Sequence, residues 1–231
     1  MNIGSGITFG SGLQIGDFYS GIPTNGLILN LDAGNSTSYP GSGTTWTDLS
    51  ATSHNFSFSA GAPSFTSAGN QSYFTFGNVA IGSSFLPATA YTKIAIFQTP
   101  GNYGNIISAN ASQTHAFWGA STQTLQSGHN GAWGTIQAAV TTPLNRWVFG
   151  AVSFNTTTGW RLYLGTNTPV TNSNTTPPSS DPSDVEIGGF AGNANNMNGS
   201  VGVALIYNRV LSDSEITQIR TYYQSRFTNL Y

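Results

Sequence analysis

The sequence predicts an all-β sandwich of two sheets, with one C-terminal helix and a separate N-terminal arm. Three features carry that expectation: short alternating apolar runs divided by Gly, Asn, Pro and Ser clusters, a central hairpin signature, and one amphipathic helix near the end. In chain order, the first 21 residues stand apart, reading GSGITF, GSGLQI and GDFYSG with Gly opening each unit. Ile7, Phe9, Leu13 and Ile15 alternate within the units, and a linker needs no Ile or Phe. Residues 1–21 are therefore expected to be an arm that docks on another subunit's sheet edge through backbone hydrogen bonds. Ile3, Ile7, Phe9, Leu13 and Ile15 are its apolar contacts.

Residues 22–231 are expected to form the sandwich. Leu27, Leu29 and Leu31 share one face of LILNLD, and Ile94 and Ile96 alternate with Lys93, Ala95 and Phe97 in TKIAIFQ. RWVFGAVSF and WRLYLG flank NTTTG as a hairpin, with Trp147, Phe149 and Ala151 on one face and Trp160, Leu162 and Leu164 on another. SVGVALIY puts Val201, Val203, Leu205 and Tyr207 on one side. SYFTFG, NIISA, HAFWG, GTIQAAV and DVEIGG supply further strands, about ten in all, which implies two packed sheets rather than alternating βα units. Ser212 and Glu215 have capping-box spacing, and Ile216, Ile219 and Tyr223 follow as one apolar stripe, so a helix is expected to about Phe227. TPVTNSNTTPPSSDPSD reads as a long surface loop.

Composition narrows the function. Charged residues are 6% of the 231, against about 25% in an ordinary globular chain. Nucleic-acid binding is excluded, because it needs clustered Lys and Arg to displace counterions from phosphate. There is no cysteine, hence no disulfide framework and no thiolate metal site. No apolar run nears the roughly 20 residues of a membrane span, and MNIGSGITFGSG lacks the basic and apolar regions of a secretion signal. Polar, low-charge composition without an export signal points to a virus particle component, assembled in a host cytoplasm and exposed on the particle.

GLILNLDAGN followed by TTWTDLS resembles the opening of the concanavalin A-like lectin/glucanase superfamily, in its laminin-G-like branch. NRWVFGAVSFNTTTGWRLYLG is similar to that family's paired central strands. DVEIGGF and NGSVGVALIYNRVLSDSEI resemble its closing portion, with the Arg209–Leu211–Ser212 corner and the Glu215–Ile216 helix start. The similarity runs from about Gly26 to Phe227. It implies an antiparallel jelly roll of two curved sheets with ligands at the concave face or rim. Domains with this opening are also similar to ones in bacteriophage structural proteins behind Gly-rich leaders.

Hydrolysis of a glycosidic bond needs two facing carboxylates. The chain has two Glu, of which Glu215 serves the helix cap; Asp184 and Glu186 lie two apart on DVEIGG, without the denser carboxylate cluster of the glucanases, and read as a strand-edge charge facing water. No G-x-S-x-G elbow occurs, and no catalytic residue is assigned. Asp181, Asp184 and Glu186 are a weak candidate for Ca2+, without an alignable ligand pattern, so no cofactor is expected. His115 and His129 lack a third zinc ligand. Asp32 and Asp48 are expected to cap turns, and Trp46, Trp147 and Trp160 to lie in the core.

Sugar recognition survives, because it wants a flat ring to stack on pyranose C–H groups and amides to read hydroxyls. Three Gly-flanked loops offer both: Tyr103 and Asn105 in PGNYGN; His129, Asn130 and Trp133 in SGHNGAWG; and Asn193, Asn195 and Asn196 in AGNANNMNG. Trp118 of HAFWGA joins them. The expectation is a non-enzymatic virion protein, a lectin-like jelly roll in a tail-fibre or adhesin role, present as a homo-oligomer or in many copies. Its partners are other virion proteins through the arm and a host cell-surface glycan, with no nucleic acid and no membrane insertion. The alternatives are a purely structural capsid-decoration or tail-accessory subunit, and a secreted carbohydrate-binding module.

Overall fold

The computed structural model describes residues 21–58, 63–77, 79–101, 104–109, 115–179, 184–190 and 196–231. The arm residues Ile3, Ile7, Phe9, Leu13 and Ile15 lie outside these. The described residues form a jelly-roll sandwich with one helix. Its first layer runs β14 (Val170–Asn172), β13 (Gly159–Leu164), β12 (Val148–Asn155), β7 (Ala90–Gln98), β16 (Gly199–Tyr207), β5 (Tyr73–Phe76) and β4 (Ser64–Thr66). β1 (Leu27–Asp32) pairs β16 beside β5. The second layer runs β2 (Thr45–Trp46), β3 (Phe56–Phe58), β6 (Ala80–Gly82), β15 (Val185–Ile187) and β8 (Ile107–Ala109). Backbone bonds from Ile106 N to Phe117 O (2.9 Å) and Ala109 N to His115 O (3.1 Å) carry it on into β9 (Ala116–Gly119), β10 (Leu125–His129) and β11 (Ala132–Gln137).

The strand period sorts the side chains. Tyr91, Ala95 and Phe97 of β7, Val152 and Phe154 of β12, and Trp160, Leu162 and Leu164 of β13 point inward, against Phe117, Leu125, Ile136, Val185 and Ile187 of the second layer. The opposite parity, Ile94, Ile96, Phe149, Ala151 and Leu205, faces the helix α1 (Asp213–Gln224) and meets Ile216, Ile219 and Tyr223. Two expected faces are split. Leu29 and Leu31 point into the sandwich while Leu27 packs on the helix side, and Val201 points inward while Val203, Leu205 and Tyr207 do not. A register shift between Leu27 and Leu29, and another between Val201 and Val203, inserts a residue and inverts the parity. Trp46 and Trp160 are core as expected, whereas Trp147 is half-buried under the C-terminus, against Tyr73 and Phe227.

The helix begins as its spacing predicts: Glu215 N donates to Ser212 Oγ, and Ser212 N donates to Glu215 Oε2. It ends at Gln224, and turns carry the chain on to Phe227. Asp32 takes the amide of Gly34 and Asp48 those of Asn30, Ser50 and His54, so both carboxylates do fix turns. Asp32 also pairs with Arg226, which the sequence does not foretell. Among the described residues no helix is long and apolar enough to cross a membrane.

Candidate functional site

The hairpin β10–β11 turns on Asn130 and Gly131, with φ of 55° and 79°, the left-handed pair of a two-residue turn whose twist suits its strands. Just before it a bulge lets Gly128 pass so close to β11 that a Cβ would sit 1.8 Å from Ala132 O. Only Gly fits there. The neighbouring β9 alternates in the usual way: Phe117 fills the core, so Ala116 and Trp118 point out of the sandwich. Trp118 Nε1 donates to Trp133 O at 2.9 Å, which pins the indole against β11.

On this outer face a cleft of about 220 Å³ is lined by Asn105, Ala116, Trp118, Trp133 and Phe190. Trp133 and Phe190 meet edge-to-face with centroids 6.0 Å apart. Asn105 is buried, and its Oδ1 accepts a 2.7 Å bond from Ser108 Oγ, which orients the carboxamide. Ser108 pairs in register with Glu186 of β15, whose neighbours Val185 and Ile187 point into the core. Glu186 therefore lies on the cleft's side of the layer. It is fully buried in a strand flanked on both sides by β6 and β8, so the expected water-facing strand-edge charge is corrected: the position is central and sealed. Asp184 remains exposed.

A sequence model of the concanavalin A-like lectin/glucanases superfamily, in its laminin-G form, matches residues 68–217. The chain belongs to that superfamily. No curated protein matches it by sequence. Solved structures of similar fold include Trypanosoma rangeli sialidase in complex with sialic acid, at 16% identity and TM-score 0.62, covering 90% of this chain and 35% of that one. Domain 4 of AbnA, an extracellular arabinanase from Geobacillus stearothermophilus in complex with arabinotriose, is 11% identical with TM-score 0.63, covering 86% and 100%. The binding domain of botulinum neurotoxin DC in complex with SialylT is 11% identical with TM-score 0.63, covering 87% and 52%. This chain thus spans about a third of the sialidase and the whole length of the arabinanase domain.

Within this superfamily fold, Asn105 of one candidate loop, Trp133 of a second and Trp118 of HAFWGA come together in one cleft. Phe190 was missed; the only signal for it is an aromatic directly after the Gly188–Gly189 pair. Tyr103, Asn193, Asn195 and Asp181 lie outside the described residues. Asn196 gives its amide to Gly77 O, away from the cleft lining. Among the described residues no three His, Asp or Glu are grouped to hold a metal.

His129 and Asn130 have other work. His129 points inward between Phe154 and Trp160, and its Nε2 meets Thr176 O at 2.6 Å. A carbonyl only accepts, so Nε2 carries the proton. Asn130 bonds Pro177 O and Ser179 N. Together they strap the 173–179 loop onto the hairpin, which is why that Pro-rich segment is anchored rather than loose. Below it lies a buried polar cluster of Tyr91, Lys93, His115 and His129. Among the described residues Tyr91 Oη and the Nδ1 atoms of both histidines have no hydrogen-bond partner, and Lys93 Nζ donates to Ile107 O at 3.4 Å and lies 5.5 Å from the centre of the Tyr91 ring. Burial brings the Lys93 ammonium down to about 7. Burial, then the charges of Lys93 and His129, holds His115 well below the usual histidine range.

Proposed function

We propose that this domain is a non-catalytic carbohydrate-binding module whose ligand site is the cleft of Asn105, Trp118, Trp133 and Phe190. The observation that carries it is the set of three aromatic side chains held around a shallow cleft, with an oriented amide at its edge. A sugar ring has apolar C–H faces that pack on aromatic rings and a rim of hydroxyls that need amide or carbonyl partners. Arabinotriose, sialic acid and SialylT in the similar structures support the class of ligand. The sealed Glu186 cannot touch a substrate, which supports binding over hydrolysis.

The setting we propose is a bacteriophage particle, with the sandwich displayed and residues 1–21 docked on another virion protein. The 6% charge, the cysteine-free composition and the alternating apolar residues of that segment support it. The test has two arms. The full chain is titrated with arabinotriose and screened on a glycan array beside Trp133→Ala, which should weaken binding at least about tenfold, roughly 1.4 kcal/mol. No binding to any glycan, or equal binding by Trp133→Ala, sinks the carbohydrate role. A truncation lacking residues 1–21 should stay folded but fail to enter particles; incorporation of that truncation sinks the docking role and leaves the cleft untouched.

A further inference from the structure

We infer that the cleft selects neutral glycans and rejects acidic ones such as sialylated, sulfated or uronate-bearing sugars; this rests on the carbohydrate reading and names its ligand class. The argument begins with where the cations are. The sequence has six Lys and Arg, with none between Lys93 and Arg146 and none between Arg161 and Arg209. Those two spans supply every described residue that lines the cleft.

Each cation is committed elsewhere. Arg161 pairs with Asp213, Arg209 with Glu215 and Arg226 with Asp32. Arg146 donates to Asn229 O and lies over the Tyr231 ring, and Arg220 donates to Leu230 O. Arg220 and Arg226 lie in the helix and the C-terminal segment, and Arg146, Arg161 and Arg209 are bonded to them, so all five sit with the elements that cover the outer face of the first layer. The cleft is on the outer face of the second. Lys93 is between the layers, with its amine turned to Ile107 O. Of the histidines, His115 and His129 are inside the sandwich, and His54 is stacked on Phe85, outside the cleft lining.

An acidic sugar placed on Trp118 and Trp133 would lose water from its carboxylate or sulfate and gain no cation in return, which is the expensive way to bury a charge. The exposed acid on this side of the layer, Asp184 at the start of the strand beneath, is of the same sign as such a ligand. A neutral sugar pays no such penalty, because amides and carbonyls suffice for its hydroxyls.

The test uses the full chain on an array printed with matched pairs, each neutral oligosaccharide beside its sialylated, sulfated or uronate counterpart, for example lactose beside 3′-sialyllactose. Binding confined to neutral members, with acidic partners weaker by about tenfold or more (roughly 1.4 kcal/mol), is the expected result. Affinity for the best neutral hit should change less than about twofold between about 50 mM and 500 mM NaCl, since no ion pair is screened. Acidic members bound as well as their neutral partners, or affinity falling steeply with salt, overturns the neutrality while keeping the carbohydrate role. Silence across the whole array overturns both.

Discussion

The two outer faces of the sandwich spend their polar residues in opposite ways. On the helix side, Arg161, Arg209 and Arg226 pair with Asp213, Glu215 and Asp32 respectively, to tie the helix and C-terminal turns to the sheet. Tyr163 Oη adds a 2.7 Å bond to Asp213. On the other side, three aromatic rings and an amide line a cleft, and none of its described lining residues is charged. A chain with few charged residues has placed most of them where they hold its own parts together. The comparison teaches that charge here secures architecture, while the ligand face relies on ring surfaces and neutral hydrogen bonds.

The largest effect expected from breaking this division is at Arg226. Its pair with Asp32 is nearly enclosed, with side-chain exposures of 13% and 7%. Removing one partner strands the other charge, a loss of about 3–5 kcal/mol. Arg226→Ala should lower the denaturant midpoint strongly while leaving glycan affinity unchanged in whatever fraction stays folded. A proportional loss of affinity by the folded protein would show that the faces are coupled.

Second in size is the charge between the layers. Lys93 is lowered to about 7, so between pH 10.5 and 7 the unfolded chain takes up a proton that the folded chain does not. Stability therefore falls as pH drops through that window, and below it the buried ammonium costs the fold on the order of a few kcal/mol. Lys93→Met should be more stable than the parent at pH 7 and should lose the rise in unfolding free energy between pH 7 and 9.5. His115, held neutral by burial and by Lys93, adds a further loss as pH falls below about 6.5, where the unfolded imidazole charges. A flat profile in the parent would contradict the buried amine.

How much of this was legible follows from the range of each signal. The helix was legible residue by residue, because a capping box and a three- and four-residue stripe are local. The β12–β13 hairpin was legible too, with Asn155 and Gly159 closing its register as NTTTG suggested. Leu27 and Val201 were assigned to the wrong faces because a bulge depends on the partner strand, which a single run cannot show. Lys93 sat at an inward position in TKIAIFQ, yet composition argues that lysines face water, and the pleat overruled it. In the site, Trp118 and Trp133 could be proposed from residue type alone. Phe190 and Glu186 required β15 to be placed beside β8, a pairing across nearly eighty residues that no local pattern encodes. His129 shared a loop with Trp133, but it keeps the inward parity of Leu125 on β10, whereas Trp133 has the parity opposite to inward Ile136 on β11.

Trp133→Ala, at about tenfold in affinity, ranks third, and the smallest expected effect sharpens the contrast most. Arg209 donates to Glu215, and that bond first, helped by Ser212, holds the Glu215 carboxyl down at about 2. A lowered carboxylate stabilises the fold above its unfolded value near 4.5 and loses that contribution as pH falls toward 2. The side chains are 27% and 26% exposed, so screening by water limits the pair to about 1 kcal/mol or less. Glu215→Gln keeps the capping-box acceptor and removes the charge. It should therefore cost a few degrees of Tm at pH 7, cost nothing near pH 2, and shrink in high salt. Glycan binding should ignore both the substitution and the salt. A mutational effect that persists at pH 2 would assign the bond's value to capping rather than charge. Salt-sensitive binding at the cleft would erase the distinction between the two faces.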